Sequence, residues 1–323
     1  MKKVRIYGTL GPACADRKTL IDMFREGMDG IRLNLSHMML EEAADWIGTY
    51  WDAAHACGRK AELLIDMQGP ELRIGALAAP VRLETGERIA ADAIPFPYEV
   101  RSALTVGQEI LLDDGKILLK SEGSALLVLR GGRLESRKSV ALPGRTIPSP
   151  AVTNADRENI RLAKAFGVTG LMQPFVRCKE DLLAVRSALR DAGCRDVRLF
   201  AKVENRAGMD ALEELIPYCD EIVIARGDLG SAMPLWELPA AQKRIAAVCR
   251  DAGRDFTVVT QMLDSMTRRP VPTRAEVSDI FNAVLDGAAS VMVTGETAAG
   301  DFPALSIRYL SETAREAEAY RAL

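Results

Sequence analysis

Short apolar runs alternate with longer amphipathic stretches along most of this chain. The short runs are Val4–Gly8, Gly30–Leu35, Ala61–Asp66, Gly170–Gln173, Arg198–Lys202, Glu221–Ala225, Phe256–Thr260 and Ser290–Thr294. Each reads as a β-strand. The spacing between them predicts helices. One opens at Asp16, a good N-cap, and stops at Gly27; others cover Met39–Ala56, Thr153–Phe166, Lys179–Ala192, Pro239–Ala252, Thr273–Ala283 and Pro303–Ala319. Eight strands alternating with helices predict an α/β chain folded as a (β/α)8 TIM barrel.

The third strand–helix unit breaks the rhythm. After Asp66 the sequence runs Gln68-Gly69-Pro70-Glu71, and Leu72–Ile147 then lacks helical periodicity. It carries many glycines and the β-type runs Val81–Leu83, Glu109–Leu112, Ile117–Lys120 and Ala125–Leu129, with Asp113-Asp114-Gly115 as a hairpin signal. This predicts a small all-β domain inserted after strand 3. The barrel is expected over residues 1–71 and 148–323, and an inserted β-barrel-like lid domain over 72–147. Gly69-Pro70 and Pro143-Gly144 read as hinges.

Composition narrows the chemistry. The 323 residues are 48% hydrophobic and 27% charged, enough apolar material for a large core. A formal net charge of -3 gives no global drive toward nucleic acid or anionic membranes. The only two histidines, His37 and His55, exclude a three-histidine zinc hydrolase. The six cysteines form no C-x-x-C pair and no secretory leader is evident, so free, mostly buried thiols in a cytoplasmic protein are expected. No apolar run approaches a membrane span. His55 reads as structural, and Trp46, Trp51 and Trp236 as packing residues.

Active sites of such barrels sit at the C-terminal ends of the strands. In chain order those ends carry Arg32, Asn34, Ser36 and His37; Asp66, with Arg73 beyond; Gln173 and Phe175; Lys202, Glu204 and Asn205; Arg226, Gly227 and Asp228; Thr260 and Gln261; and Thr294, Gly295 and Glu296. These polar and charged residues are expected to converge on one mouth. Glu204 and Asp228, from adjacent strands, suit a hard divalent cation such as Mg2+. Lys202, two residues before Glu204, shares its face and can stabilise an enolate. Arg32 and Arg73 can clamp a phosphoryl group. The Gly227–Gly230 turn can offer backbone N–H groups to a carboxylate.

These residues sit in segments that resemble the pyruvate kinase family. The matching segments are Thr9–Pro12, Ile31–His37, Asp66–Arg73, Lys202–Asn205, Ala225–Gly230, Thr260–Met266, Pro272–Glu276 and Gly295–Ala298, in the family's order and across nearly the whole chain. The resemblance implies a cytoplasmic glycolytic phosphotransferase converting phosphoenolpyruvate and ADP to pyruvate and ATP. Glu204 and Asp228 would hold Mg2+ (or Mn2+). Asn34, Ser36, Asp66 and the Met67 carbonyl would hold K+, and Glu71 matches the K+-dependent form. Lys202 would stabilise the enolate, and Arg32 and Arg73 would meet the phosphoryl group. Thr260 would face the enolate carbon, the Gly227–Asp228 backbone would hold the carboxylate, and Pro12, His37 and Arg73 would border the nucleotide. The small-molecule partners would be phosphoenolpyruvate/pyruvate and ADP/ATP, with no nucleic acid and no membrane, and the chain is expected to form a homo-oligomer, a dimer.

Departures keep other readings open. The family pattern has Lys where Gln68, Ala155 and Ala299 stand here, Gly where Met38 follows the His, and Ser where Pro174 precedes Phe175. Fewer cations around a polyanion weaken its binding by about 1.5–3 kcal/mol for each lost charge-assisted contact. The sequence ends shortly after the last barrel helix, so the family's C-terminal effector domain is expected to be absent and its sugar-phosphate control with it. A diverged Mg2+-dependent 2-oxo acid enzyme (a lyase, decarboxylase or transferase to another acceptor) and a non-catalytic binding module remain alternatives to the kinase.

Overall fold

A computed structural model describes residues 3–36, 38–69, 71–113, 115–145, 147 and 150–322. The chain divides into two compact units, Met1–Gly69 with Ala151–Leu323, and Pro70–Pro150.

The first unit is a closed barrel of eight parallel strands: β1 (Arg5–Leu10), β2 (Gly30–Asn34), β3 (Glu62–Asp66), β4 (Gly170–Gln173), β5 (Arg198–Val203), β6 (Glu221–Ala225), β7 (Asp255–Val259) and β8 (Ser290–Met292). Strand β1 closes the ring, pairing with β2 through Gly8↔Ile31 and with β8 through Tyr7↔Met292. The (β/α)8 expectation therefore holds, with every strand placed within a few residues of its predicted run.

Alternation along each strand sorts side chains to the two faces of the barrel wall. Ile31, Leu33, Ile65, Leu171, Leu199, Ile222, Ile224 and Val258 pack outward in the large core shared with the helices. Tyr7, Leu64, Met172, Phe200, Val223, Ala225, Val259 and Met292 fill the interior. Burial of each such large side chain stabilises the fold by about 1.5–3 kcal/mol. At the N-terminal end of the interior, Glu221 accepts hydrogen bonds from Thr257 (2.6 Å) and Ser290 (2.7 Å) and pairs with Arg5 (2.7 Å). Glu62 there accepts from Tyr7 and Arg198. The apolar layer separates this closed polar end from the charged mouth.

The outer helices start where side chains can cap them. Asp16 accepts from the Thr19 amide (3.0 Å) to open α1 (Arg17–Arg25), and Gly27, at φ 109°, ends that turn. Helix α2 is Ala44–Ala56. Capping boxes open α3 (Asn154–Leu162) at Thr153 and α6 (Arg274–Leu285) at Thr273. Helices α4 (Lys179–Asp191), α5 (Leu238–Asp251) and α7 (Pro303–Arg321) complete the main outer layer. After β5 two short helical pieces, Arg206–Asp210 and Leu212–Leu215, stand where no long amphipathic pattern exists.

The second unit has its own core around Phe96, Ile110, Leu119, Val128 and Leu134. Its five-stranded sheet is antiparallel in the order Val140–Ala141, Glu109–Leu112, Ile117–Ser121, Ala125–Arg130, Arg88–Ala90, and Val81–Leu83 pairs separately with Gly132–Leu134. One helix, Tyr98–Ala103, interrupts a stretch read as free of helix; six residues are too few to register as a period. The hairpin between Leu112 and Ile117 forms as its turn residues indicate, with Asp113 (φ 49°) and Gly115 (φ 79°) in the left-handed region, while Asp114 lies outside the described residues. Pro70 of the first expected hinge also lies outside them.

All six cysteines are free, four of them buried, as expected. Burial pushes the Cys14 thiol up to about 11 and those of Cys219 and Cys249 up to about 12. Trp51 packs and donates to the Phe166 carbonyl (3.0 Å), but Trp236 is 82% exposed on a short turn before α5, so it is not a packing residue. His55 is exposed on α2. No helix among the described residues is long and apolar enough to cross a membrane.

Candidate active site

The mouth of the barrel is organised by one lysine. Phe200, Lys202 and Glu204 follow each other at period two along β5 and its end, so the side chain above the interior layer is the Lys202 ammonium. Across β4, which lies between them in the wall, Asp66 at the end of β3 also faces inward. Lys202 Nζ donates to Asp66 Oδ2 at 3.0 Å and Oδ1 at 3.2 Å, and lies 2.9 Å from Glu204 Oε1. Arg32, inward-facing on β2, takes the other side of Asp66, with Nε donating to Oδ2 at 2.8 Å and Nη2 at 2.7 Å. Arg32 Nη1 also reaches Thr9 Oγ1 at 3.4 Å, and Thr9 is held by the Val293 carbonyl and the Thr297 hydroxyl.

Asp66 and Glu204 are each only 2% exposed. Burial works against the Asp66 carboxylate, but Lys202 and Arg32 outweigh it and hold the group below the usual aspartate range. Burial likewise works against the Lys202 ammonium, yet Asp66 and Glu204 raise its pKa above the ordinary lysine value. Lys202 is therefore a permanent cation in neutral solution. Glu204 is pushed up to about 7 by burial, with Lys202 opposing and Asp228 and Asp66 adding to the rise. Its Oε2 accepts from the Phe175 amide at 2.7 Å, where Phe175 is turned into the left-handed region (φ 53°). Its buried Oε1 makes no aligned hydrogen bond.

The donors fit a divalent cation. Glu204 Oε1 is a buried carboxylate oxygen with no aligned hydrogen bond, 2.9 Å from the Lys202 ammonium, and it keeps lone pairs for a further cation. Magnesium is commonly held by one or two carboxylates with its other positions left to water and substrate oxygens. The residues expected to hold a monovalent cation form an all-oxygen set in Asn34, Ser36, Asp66 and the Met67 carbonyl, which suits a hard ion. Asn34 Oδ1 accepts from the Ser36 amide at 3.1 Å, fixing that turn, and Asp66 Oδ1 accepts from Lys202.

Other predicted residues fall into place differently. Gly227 lies against Thr260; a Cβ on Gly227 would stand 3.1 Å from Thr260 Cγ2. Thr260 takes φ 80°, a conformation that costs a non-glycine residue about 1–2 kcal/mol. Pro12 is exposed next to Gly11, whose missing Cβ would collide with the Ala298 carbonyl at 2.5 Å. His37 lies outside the described residues. Arg73 belongs to the second unit, where it pairs with Glu71 and donates to the Arg137 carbonyl at 2.9 Å.

Four residues read as part of the mouth serve its walls instead. Gln173 alternates to the outer face of β4 and donates to the Ala151 carbonyl at 2.8 Å. Asn205 caps the short helix after β5, accepting from the Gly208 amide at 2.7 Å. Glu296 is buried and accepts from the amides of Leu263 (3.0 Å) and Thr294 (2.7 Å), tying together the loops after β7 and β8. Arg226 turns to the Thr260 carbonyl and Asp279. One important residue escaped the sequence reading. Buried Asp156 accepts from the amides of Gln68 (2.9 Å), Gly69 (3.2 Å) and Thr153 (2.9 Å), fixing the chain just past Met67. Its signal was the Thr153-x-x-Asp156 capping box.

Comparison with known proteins agrees with this geometry. The model of the pyruvate kinase barrel domain matches residues 1–307. The pyruvate kinase of Methylorubrum extorquens is 37% identical over 333 residues, covering 98% of this chain and 69% of its own length. That of Geobacillus stearothermophilus is 34% identical over 335 residues, covering 98% and 57%. Human pyruvate kinase PKLR is 36% identical over 347 residues, covering 98% and 60%. The chain thus spans between 57% and 69% of the length of these three relatives. With the barrel, the charged mouth and these similarities in agreement, the chain belongs to the pyruvate kinase family.

Proposed function

We propose that this chain transfers the phosphoryl group of phosphoenolpyruvate to ADP. The P–O bond to the enol oxygen breaks, an oxygen of the ADP β-phosphate takes the phosphorus, and the released enolate gains a proton at its terminal carbon to give pyruvate. The observation that carries this reading is the Lys202 ammonium fixed between Asp66 and Glu204 beside Arg32.

Phosphoryl transfer needs little covalent help from a protein; it needs positioning and fixed charge. Lys202 stays protonated, so it acts as a preorganised positive charge for the enolate oxygen rather than as a base. Arg32, oriented by Asp66 and Thr9, is the cation for the phosphoryl oxygens. The backbone of Gly227 and Asp228, in the first turn of the short helix Arg226–Ser231, is the group assigned to the substrate carboxylate. Thr260, which packs over Gly227, is the residue assigned to the face where the enolate carbon receives its proton. Pro12 borders the nucleotide. Glu204 and Asp228 are the residues to hold Mg2+ or Mn2+, which when bound neutralises charge on the oxo acid and phosphoryl oxygens. Asn34, Ser36, Asp66 and the Met67 carbonyl are the residues to hold K+.

The enolate centre is tested apart from the nucleotide by proton exchange. Pyruvate incubated in D2O with the protein, Mg2+, K+ and inorganic phosphate should lose its methyl proton signal in a Mg2+-dependent way. Unchanged methyl protons would overturn the roles given to Lys202 and Thr260.

A further inference from the structure

The end of β7 holds a conformational oddity that the reaction scheme does not explain. Thr260 and Gln261 are consecutive non-glycine residues in the left-handed region, at φ 80° and 53°. Thr260 is β-branched, the residue type least tolerant of that region. Such a conformation persists only where surrounding contacts over-determine it.

Among the described residues, one side chain grips the Thr260 carbonyl. Arg226, the first residue after β6, donates to the Thr260 carbonyl from both Nε (3.1 Å) and Nη2 (2.7 Å). The same Nη2 lies 2.9 Å from Met262 Sδ, beyond the double left-handed turn. Nη1 is anchored on α6 by Asp279 at 2.6 Å and reaches Gln242 of α5 at 3.5 Å. A guanidinium is a planar fork, so a grip with two nitrogens on one carbonyl and a third on a helix fixes the direction of the carbonyl as well as its distance. Because Arg226 precedes Gly227 directly, the residue that grips Thr260 also carries the backbone over which Thr260 packs.

We infer that Arg226 is a positioning residue for the reaction: anchored by Asp279, it holds the Thr260 backbone in its left-handed conformation and so aims the Thr260 side chain over the Gly227–Asp228 turn. This rests on the function proposed above for Thr260. Arg226 itself touches no reacting atom. Its effect is expected in kcat, through Thr260, and not in substrate binding.

The experiment combines Arg226→Gln, Arg226→Lys, Thr260→Ala and the double variant Arg226→Gln/Thr260→Ala, with a crystal structure of Arg226→Gln. Steady-state rates are measured with phosphoenolpyruvate, ADP, Mg2+ and K+, and thermal unfolding verifies that each variant is folded. Arg226→Gln should lower kcat at least about tenfold while KM for phosphoenolpyruvate changes less than about threefold. Arg226→Lys, which keeps the charge without the fork, should not restore kcat. The double variant should be no slower than Thr260→Ala alone, because both changes disable the same group. In the crystal structure Thr260 should leave the left-handed region. Multiplicative losses in the double variant, recovery by lysine, or a Thr260 φ still near 80° without the Arg226 side chain would each overturn the inference. If the unmodified protein shows no turnover, the proposed function fails, and the Thr260 backbone in the Arg226→Gln structure still decides whether the arginine holds it.

Discussion

Lys202 on β5 and Asp66 on β3 meet across an intervening strand, Nζ to Oδ2 at 3.0 Å, in a mouth where neither side chain is more than 12% exposed. The pair is shared with Arg32, so Asp66 is the common counter-charge for the two cations assigned to the reaction. Removing one partner of a buried ion pair costs about 3–5 kcal/mol, because the other charge is left uncompensated. Asp66→Asn should therefore lower unfolding stability by about that amount and abolish turnover, as Arg32 and Lys202 repel each other out of register. Urea unfolding followed by circular dichroism measures the first effect. An unchanged midpoint would mean that the two cations find other partners.

Lys202→Met keeps the stem and deletes the charge. The variant should remain folded and lose at least about 10²-fold in pyruvate methyl proton exchange, the scale for removing a preorganised charge from a reacting oxyanion. Exchange at the unmodified rate would remove Lys202 from the enolate's surroundings.

Asp156 ties Gln68 and Gly69 to the capping box of α3. Asp156→Ala strips a buried carboxylate from several backbone donors, and each donor left unsatisfied costs about 1–3 kcal/mol. A loss of at least about 3 kcal/mol is expected, together with weaker K+ activation, because the Met67 carbonyl belongs to the same stretch. Denaturant unfolding and a K+ titration of the rate check the two halves. Wild-type behaviour in both would show that the stretch is held without Asp156.

Glu276, the carboxylate of the α6 capping box, supplies a pH test. Burial works against its carboxylate, but hydrogen bonds from Ser265 and Thr273 outweigh it and hold the pKa below the ordinary glutamate value. A carboxyl depressed on folding adds stability above its unfolded pKa of about 4.3, and that stability is lost as pH falls through the lower folded value. Glu276→Gln should be destabilised by about 1–3 kcal/mol at neutral pH. The gap to the unmodified protein should close below about pH 4. A gap independent of pH would show that the carboxylate charge contributes nothing to the cap.

The barrel was legible because buried parallel strands and capped helices leave local marks: eight apolar runs, Asp16 before α1 and Thr273 before α6. The short helices Arg206–Asp210 and Tyr98–Ala103 left none, since six residues or fewer complete too little of a helical period. The mouth was legible in residue type but less so in direction. Lys202 and Glu204 share a face by alternation, whereas Gln173 sits one residue past inward-facing Met172 and therefore turns outward. Arg226 and Glu296 look equally reactive in sequence. Only the fold shows that their charges are spent on the Thr260 carbonyl and on the Leu263 and Thr294 amides. The left-handed Thr260 is invisible in sequence, because the guanidinium that grips its carbonyl comes from Arg226, just past the neighbouring strand β6.

The most direct test is to mix the protein with phosphoenolpyruvate, Mg2+ and K+, with and without ADP, and follow pyruvate and ATP in parallel. Equal amounts of pyruvate and ATP are expected, formed only when ADP is present. Pyruvate released without ADP, or no turnover by a protein that still exchanges pyruvate methyl protons, would contradict transfer to ADP and leave the enolate centre serving another acceptor.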